Sequence, residues 1–221
     1  MVSVIITAAG SGSRFGGQKQ FKLLGGFPLY AYSLKLFLEC SYVFEVILVI
    51  PKKKKASVNR YLNSIKTKKK IIIVNGGNTR QNSVKNGISK SNKKTELICV
   101  HDAARPFVSK YLIEDSIKSC YENDGAIVAI SNYDTMKKCY NGYVSETIDR
   151  DSVLLAQTPQ VFWKEKLIKA FAYANRKKII GTDESSVMEL LGFQIAIVDG
   201  SVDNFKITTS SDWERAEKLI K

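Results

Sequence analysis

Short apolar runs alternate along the chain with longer segments in which apolar residues recur at helical spacing. Several of the runs are continuous and rich in Ile and Val, as is typical of strands that are covered on both faces. The predicted strands are residues 2–7, 45–50, 71–74, 97–101, 126–130 and 194–198, and the predicted helices are residues 30–39, 56–65, 81–89, 110–121, 164–174, 185–191 and 211–220. Because strands and helices alternate, we expect a three-layer α/β fold with a mostly parallel sheet between helices.

One segment interrupts this alternation. Asn141-Gly142 separates two short runs, Met136–Tyr140 and Tyr143–Ile148, and Asn-Gly favours the positive backbone angles of a type I′ turn. We therefore predict a β-hairpin arm at about residues 134–150 that projects from the sheet. Because a lone hairpin is marginally stable in water, we expect a second subunit to pack against it. No linker divides the rest, so residues 1–221 are predicted to form one domain.

Length and composition exclude a disordered chain and indicate one full-sized core. The chain has 221 residues, of which 44% are hydrophobic. Its apolar start resembles a buried first strand rather than a signal peptide, and no apolar run approaches the roughly 20 residues of a membrane span. We therefore expect a cytoplasmic protein without a membrane partner. The irregularly spaced Cys40, Cys99, Cys120 and Cys139 are expected to be reduced and structural.

The chain is strongly basic, with a formal net charge of +13. Such a charge suits nucleic acid or phosphorylated small molecules, and composition alone does not choose between them. Much of the excess lies in residues 52–55 and in Lys66 with residues 68–70, which we interpret as a solvated face. Aromatic residues do not interleave with these lysines, so a platform for single-stranded nucleic acid is not indicated. A basic nucleic-acid-binding domain without catalytic activity remains an alternative.

A glycine-rich loop follows the first predicted strand. Four glycines, at positions 10, 12, 16 and 17, leave peptide N–H groups uncovered and able to approach an anion closely. A dinucleotide fingerprint requires glycine where Phe15 stands, and a Walker loop requires Gly-Lys-Ser/Thr where Gly17 precedes Gln18. The loop instead carries two cations, Arg14 and Lys19. This combination suits a polyphosphate, bound beyond the carboxyl ends of the strands.

Together with this loop, four further segments resemble the 2-C-methyl-D-erythritol 4-phosphate cytidylyltransferases of the non-mevalonate isoprenoid pathway. The matching segments are Ala8-Ala9-Gly10-Ser11-Gly12-Ser13-Arg14 with Lys19-Gln20-Phe21, Gly76-Gly77-Asn78-Thr79-Arg80-Gln81-Asn82-Ser83-Val84, Val100-His101-Asp102-Ala103-Ala104-Arg105-Pro106, Thr147-Ile148-Asp149-Arg150 leading to Gln157-Thr158-Pro159-Gln160, and Gly200 through Asn204-Phe205-Lys206-Ile207-Thr208-Thr209. The sequence departs from the family at Gln18, Phe15 and Ser210-Ser211, where proline, methionine and Pro-Glu are commoner. None of these changes removes a basic group.

The resemblance implies a Rossmann-like nucleotidyltransferase fold and a homodimer with interlocked hairpin arms. It also implies CTP as a substrate, Mg²⁺ or a similar divalent cation, and transfer of CMP to the phosphate of the sugar alcohol. Such a transfer requires in-line positioning and preorganised positive charge rather than a protein nucleophile. The lone His101 is therefore given no catalytic role, and Arg80 is interpreted as a structural residue of its loop.

The family match assigns these roles to individual residues. The catalytic residues are Arg14, Lys19 and Lys206; the nucleotide-binding residues are Ala8, Ala9, Gly10, Gly12, Gly77, Ser83 and Asp102; the residues that bind the acceptor are Arg105, Thr135, Arg150 and Thr158; and Asp102 also binds the metal. Thr135 and Arg150 lie at the two ends of the arm, so they are expected to serve a neighbouring subunit's site. A related cytidylyltransferase acting on ribitol 5-phosphate is the nearest alternative; Ala103-Ala104 and residues 182–186 favour methylerythritol phosphate as acceptor.

Overall fold

A computed structural model describes residues 1–220 of the chain. Its strands are β1 (Val2–Thr7), β2 (Leu23–Leu24), β3 (Phe27–Pro28), β4 (Val43–Ile50), β5 (Lys70–Asn75), β6 (Leu97–Asp102), β7 (Gly125–Ser131), β8 (Met136–Tyr140), β9 (Tyr143–Ile148), β10 (Leu154–Trp163) and β11 (Ile195–Asp199). Its helices are α1 (Leu29–Glu39), α2 (Lys55–Leu62), α3 (Arg80–Ile88), α4 (Lys110–Glu122), α5 (Lys164–Arg176), α6 (Glu184–Glu189) and α7 (Ser210–Leu219).

A seven-stranded sheet lies at the centre, with strand order β11-β7-β10-β6-β1-β4-β5. All neighbouring pairs are parallel except those of β10, which runs antiparallel to β6 and to β7. The six strands and seven helices predicted for the main domain all form, with ends that differ by at most three residues. The prediction of a three-layer α/β fold with a mostly parallel sheet is confirmed.

Strand β10 was not predicted, although it occupies a central place between β6 and β7. Its apolar pattern is interrupted by Gln157, Pro159 and Gln160, and a proline in a run argues against a central strand because it cannot donate to the ladder. The pairing of β10 with β7 shifts register between Ala156 and Gln160. This irregularity surrounds Pro159 and so accommodates it within the sheet.

The two faces of the sheet bury separate apolar clusters. In β1, Val4 and Ile6 face the layer formed by α1, α2 and α4, whereas Ile5 faces the layer formed by α3, α5 and α6. Alternation along a strand sends successive side chains to opposite faces, so the continuous apolar run fills both cores. Among residues 1–220, none of the helices is long and apolar enough to span a membrane.

A third, smaller cluster lies beside the main core and joins the glycine loop to the C-terminal helix. Leu24, Leu29, Ile207 and Trp213 are buried in it, and Phe15 of the glycine loop packs against them. The Phe15 and Trp213 ring centroids are 5.6 Å apart. The segment before α7, which carries Lys206, is therefore packed on the same small core as the loop that carries Arg14 and Lys19.

The arm forms as predicted, as a separate two-stranded sheet of β8 and β9. Asn141 and Gly142 have φ values of 50° and 83°, which fits the two positive angles of a type I′ turn. Tyr140 and Tyr143 face each other across the turn and are 71% and 79% exposed. The arm thus presents large apolar surface to solvent within a single subunit.

Candidate active site

A cleft of about 500 Å³ opens at the carboxyl ends of β1, β5 and β6. It is lined by Thr7, Ala9, Gly10, Ser11, Gly12, Ser13, Arg14, Lys19, Gln20, Gly77, Asn78, Thr79, Arg80, Ser83, Asp102, Ala104 and Lys206. Parallel sheets bind ligands at this edge, because the loops that leave neighbouring strands meet there. Nine of these residues belong to the predicted site: Ala9, Gly10, Gly12, Arg14, Lys19, Gly77, Ser83, Asp102 and Lys206.

The glycine loop has a defined shape that other residues could not adopt. Gly12 has a φ of 71°, and a Cβ atom at this position would lie 1.8 Å from the Gly17 carbonyl oxygen. The side-chain amide of Gln20 donates to the carbonyl oxygens of Ala8 (2.8 Å) and Gly10 (2.7 Å). Gln20, which was not among the predicted site residues, therefore holds the two sides of the loop together at the cleft.

Four cations line the cleft, and three of them are the predicted catalytic residues. Arg14 and Lys19 come from the glycine loop, and Lys206 comes from the segment before α7. That segment is held beside the cleft because the Ile207 N–H donates to the Ala104 carbonyl oxygen at 2.9 Å. Burial, together with the positive charges of Lys206 and Arg14, lowers the pKa of Lys19. Like charges gathered in this way favour the binding of an anion, which relieves their repulsion.

The opposite side of the cleft is formed by a second glycine segment and the start of α3. A Cβ atom at Gly76 would lie 2.3 Å from the Ala9 Cβ, so the two glycine segments touch. The Ser83 hydroxyl donates to the Thr79 carbonyl oxygen (2.9 Å) and accepts from the Gly77 N–H (3.1 Å). Ser83 thus closes the turn, and bare peptide groups face the cleft beside it.

Four charged side chains form an ion cluster in the cleft wall: Glu184, Arg80, Asp102 and Lys206. Arg80 binds both carboxylate oxygens of Glu184, with Nη1 at 2.8 and 2.7 Å, and its Nη2 lies 3.2 Å from Asp102 Oδ1. Lys206 Nζ lies 2.5 Å from Asp102 Oδ2. Each charge of the cluster is therefore paired within it.

The cluster fixes the charge of Asp102. Burial alone raises the pKa of this carboxyl, but the charges of Arg80 and Lys206 outweigh burial and hold its pKa well below the usual range. Burial also raises the pKa of Glu184, and the Arg80 guanidinium opposes that shift. Arg80 was predicted to organise its own loop; its side chain instead binds Asp102 and Glu184, and it lines the cleft. Glu184 was missed, since only its place in the 182–186 segment pointed to it.

Three predicted site residues lie behind the cleft rather than in its lining. The Thr158 hydroxyl accepts from the Asp102 N–H at 3.1 Å and lies 3.1 Å from His101 Nδ1. Arg105 donates to the Asn204 and Ala156 carbonyl oxygens (2.7 and 3.3 Å), and Ala8 is buried.

His101, which was given no catalytic role, lies beside them. Burial lowers the pKa of His101 to about 4 and keeps the imidazole neutral. Its Nε2 donates to the Arg105 carbonyl oxygen at 3.0 Å.

Two other predicted residues lie on the arm and are not brought to this cleft within one subunit. Thr135 is exposed just before β8, and Arg150 follows β9, where its Nη1 donates to the Tyr133 carbonyl oxygen at 2.9 Å. Neither side chain lines the cleft described above. One subunit thus assembles the predicted triphosphate and nucleotide groups but not the whole predicted acceptor group.

The cleft offers limited protein ligation for a metal. Within residues 1–220, no three His, Cys, Asp or Glu side chains are grouped so that they could hold an ion. Asp102 is the sole carboxylate among the described lining residues. One ionised carboxylate fits a magnesium ion that takes its other ligands from substrate phosphates and water, because Mg²⁺ seldom uses an all-protein cage.

Comparisons with known proteins agree with this geometry. The family model for IspD, 2-C-methyl-D-erythritol 4-phosphate cytidylyltransferase, matches residues 2–221. Enzymes of that name from Clostridium acetobutylicum and Caldanaerobacter subterraneus are each 37% identical to this chain. Both alignments span 100% of this chain, and they span 98% and 99% of the two enzymes, respectively. These matches do not favour the ribitol 5-phosphate alternative.

Solved structures give the same result. A 4-diphosphocytidyl-2C-methyl-D-erythritol synthase from Anaerococcus prevotii superposes with a TM-score of 0.89 at 30% identity, covering 100% of this chain and 98% of its own. The 2-C-methyl-D-erythritol 4-phosphate cytidylyltransferase from Thermus thermophilus superposes with a TM-score of 0.81 at 31% identity, covering 99% and 98%. The chain is a nucleotidyltransferase that belongs to the 2-C-methyl-D-erythritol 4-phosphate cytidylyltransferase family.

Proposed function

We propose that the chain transfers CMP from CTP to 2-C-methyl-D-erythritol 4-phosphate, forming 4-diphosphocytidyl-2-C-methyl-D-erythritol and releasing pyrophosphate. The observation that carries the proposal is the convergence of Arg14, Lys19 and Lys206 with a bare glycine loop on one cleft. In this reaction an acceptor phosphate oxygen attacks the α-phosphorus of CTP while the bond to the β-phosphate oxygen breaks. Negative charge builds up on the α-phosphoryl oxygens and the leaving group, so the three cations stabilise the transition state.

The peptide groups of Ala9, Gly10 and Gly12 follow the triphosphate, with Ala8 buried behind them, and Gly77 with the Ser83 turn faces the cytosine. Close approach of backbone at the two glycine segments supports this assignment, since a Cβ atom at either Gly12 or Gly77 would clash. Asp102 would hold Mg²⁺, because its low pKa keeps the carboxylate ionised. An ion held there would supply positive charge that neutralises phosphate charge.

The acceptor phosphate is bound by Arg150 and Thr135, with Arg105 and Thr158 supporting the wall behind it. We place Thr135 and Arg150 at the cleft of a second copy of the chain, in a homodimer formed through the arm. The exposed apolar side chains of the arm support this: Tyr133, Tyr140, Tyr143 and Val144 are 81%, 71%, 79% and 66% exposed. Burying such surface against a partner is favourable, and it also stabilises an otherwise isolated hairpin.

We also place the enzyme in the cytoplasm. Its four cysteines are free thiols, and Cys40, Cys99 and Cys120 are buried as small apolar side chains. Burial raises the pKa of Cys120 to about 12, which keeps this thiol protonated and unreactive. Buried reduced cysteines are typical of a reducing compartment.

The test is pyrophosphate release from CTP, measured with 2-C-methyl-D-erythritol 4-phosphate and, separately, with ribitol 5-phosphate. We expect turnover with the first acceptor, dependence on Mg²⁺, and loss of turnover when the ion is chelated. Turnover with ribitol 5-phosphate alone would refute the choice of acceptor. Salt-dependent nucleic-acid binding that survives Lys19→Ala, without any turnover, would favour the binding-domain alternative.

A further inference from the structure

The two lysine runs lie at opposite ends of the strands, one at the carboxyl ends and the other at the amino ends. The first, here called the rim lysines (Lys52, Lys53, Lys54 and Lys55), follows β4 after Pro51. The last two residues of β4 bind both glycine segments of the cleft: the Val49 carbonyl oxygen accepts from the Ala8 N–H (2.8 Å) and the Ile50 carbonyl oxygen from the Gly76 N–H (2.9 Å). The rim lysines therefore begin two residues beyond the floor of the cleft.

A side-chain contact confirms this position. Lys54 Nζ lies 5.4 Å from the ring centroid of Phe21, and Phe21 directly follows Lys19 and Gln20, which both line the cleft. Lys52, Lys53 and Lys55 are exposed. The rim lysines are thus a solvated positive surface at the edge of a cleft that is already lined by four cations.

The second run, here called the far lysines (Lys66, Lys68 and Lys70), precedes β5 or begins it. Lys70 pairs with Glu45 near the start of β4, and the strands are parallel, so this run lies at the amino ends. At about 3.3 Å per residue, the two runs are roughly 20 Å apart along the sheet. The far lysines are also exposed.

The rim lysines are placed where they oppose the folding of their own helix. They lead into the N-terminus of α2, and its first turn carries no acidic residue. The N-terminus of a helix bears partial positive charge, so cations there are unfavourable. Within residues 1–220, none of the four takes part in an ion pair. Apart from the contact of Lys54 with Phe21, a contribution to stability therefore does not explain them.

We propose that the rim lysines attract the triphosphate of CTP toward the cleft and strengthen its binding by long-range electrostatics, without touching it in the bound complex. This inference rests on the proposed function, since it takes CTP as the ligand. Charges along the edge of a cleft raise the local concentration of an oppositely charged ligand, and the effect declines as salt shortens the Debye length. The N-terminus of α2, which has no side-chain cap, lies at the same edge and adds its partial positive charge to that of the lysines.

The two runs provide a matched pair of variants. The rim variant is Lys52→Gln/Lys53→Gln/Lys55→Gln, and the far variant is Lys66→Gln/Lys68→Gln/Lys70→Gln. Each removes three exposed positive charges, so the net charge changes equally. Lys54 is kept because it contacts Phe21, and Lys69 is kept because its Nζ donates to the Cys40 carbonyl oxygen after α1. Neither variant alters a residue assigned to the cleft.

Two readouts separate the inference from the proposed function. The first is equilibrium binding of CTP without an acceptor, and the second is kcat/KM for CTP. At about 20 mM ionic strength we expect the rim variant to bind CTP roughly 5-fold more weakly and to lose kcat/KM to the same extent, with kcat unchanged. At about 500 mM salt the difference should vanish, because the Debye length falls to a few ångströms. The far variant should stay within about 2-fold of the unaltered protein at both salts.

The inference is overturned if the rim variant binds CTP as well as the unaltered protein at low salt, or if both variants weaken equally. Thermal unfolding supplies a further check: the rim variant should be at least as stable as the unaltered protein, and a clear loss of stability would indicate a structural role instead. Unaltered protein that binds CTP in this salt-dependent way but releases no pyrophosphate would refute the proposed function while leaving the inference intact.

Discussion

The two walls of the cleft use positive charge in opposite ways. In the ion cluster, Arg80 and Lys206 are bound to Asp102 and Glu184 by ion pairs of 2.5 to 3.2 Å. In the glycine loop, Arg14 and Lys19 form no ion pair within the described residues, and positive-φ glycines shape the backbone. The ion cluster therefore fixes geometry, and Lys206 is its one member that the proposed function also assigns to the transition state, whereas both loop cations remain available for an anion. Substitutions in the two walls should separate stability from activity.

Arg80→Met should have the largest effect, and chiefly on stability. It removes the partner of the fully buried Glu184 and one of two cations on Asp102. Leaving a buried charge unpaired typically costs about 3–5 kcal/mol, so the free energy of unfolding should fall by that amount. Chemical denaturation monitored by circular dichroism measures the change.

The double variant Arg80→Met/Glu184→Leu is the control for this prediction. Because it removes the unpaired charge as well, it should recover part of the loss, as replacement of a buried ion pair by apolar groups often does. A double variant that is less stable than the single variant would show that the loss does not come from an unpaired Glu184 charge. The ion cluster would then not be the wall that stabilises the fold.

Lys19→Ala should have the reverse effect. Loss of one preorganised cation at the transition state typically lowers turnover by about 10²–10³-fold, and we expect kcat/KM for CTP to fall by that factor. Within residues 1–220 Lys19 takes no part in an ion pair, so its removal should change the free energy of unfolding by less than about 1 kcal/mol. Pyrophosphate release and chemical denaturation measure the two quantities.

Lys22→Ala is the matched control, because this lysine lies in the same segment but outside the lining of the cleft. Its Nζ is 4.3 Å from the ring centroid of Trp213. Loss of this cation–π contact should cost about 0.5–1 kcal/mol of stability and leave kcat/KM nearly unchanged. Equal losses of activity in both variants would show that the loop responds to general disruption and not to the charge of Lys19.

The sequence predicted the glycine-loop wall better than the ion-cluster wall. Gly12, Arg14 and Lys19 are neighbours along the chain, so a local motif suffices to bring them together. Arg80 and Glu184 are 104 residues apart, and their contact depends on how α3 and α6 pack on the same face of the sheet. No spacing rule encodes such a contact. Arg80 could be interpreted as structural, but its partner could not be named.

The same difference between local motifs and distant contacts applies to β10 and the arm. Polar Gln157 and Gln160 lie in a central strand because they bond within the fold: Gln157 donates to the Ser201 carbonyl oxygen and Gln160 to Asp183. Hydrophobic patterning treats such residues as loop. The hairpin turn at Asn141-Gly142 could be predicted because turn chemistry is local. What covers the exposed side chains of the arm is a different kind of question, because it concerns contacts outside this chain.

Phe15→Ala should have a moderate effect that connects the two walls. Phe15 packs on Trp213 at 5.6 Å, and α7 follows the segment that carries Lys206. Removing the ring should loosen the glycine loop and raise KM for CTP by about 5-fold, since one aromatic pair contributes about 0.5–1.5 kcal/mol. In a Trp163→Phe background, Trp213 fluorescence reports the loop directly. CTP should change this fluorescence when Phe15 is present and much less in the Phe15→Ala variant; equal changes would refute the coupling.

Lys19→Arg should give the smallest effect, confined to alkaline pH. Burial and the charges of Lys206 and Arg14 lower the pKa of Lys19, so this lysine loses its charge at a lower pH than an exposed lysine does. The charged form binds the triphosphate, and affinity for CTP should therefore decline as pH rises toward 10. Arginine stays protonated throughout this range, so the Lys19→Arg variant should keep its affinity to higher pH. Titration of CTP without metal between about pH 7.5 and pH 10 measures both profiles. A decline at the same pH in both proteins would mean that another group titrates, and that the loop cations are not as crowded as the comparison between the two walls requires.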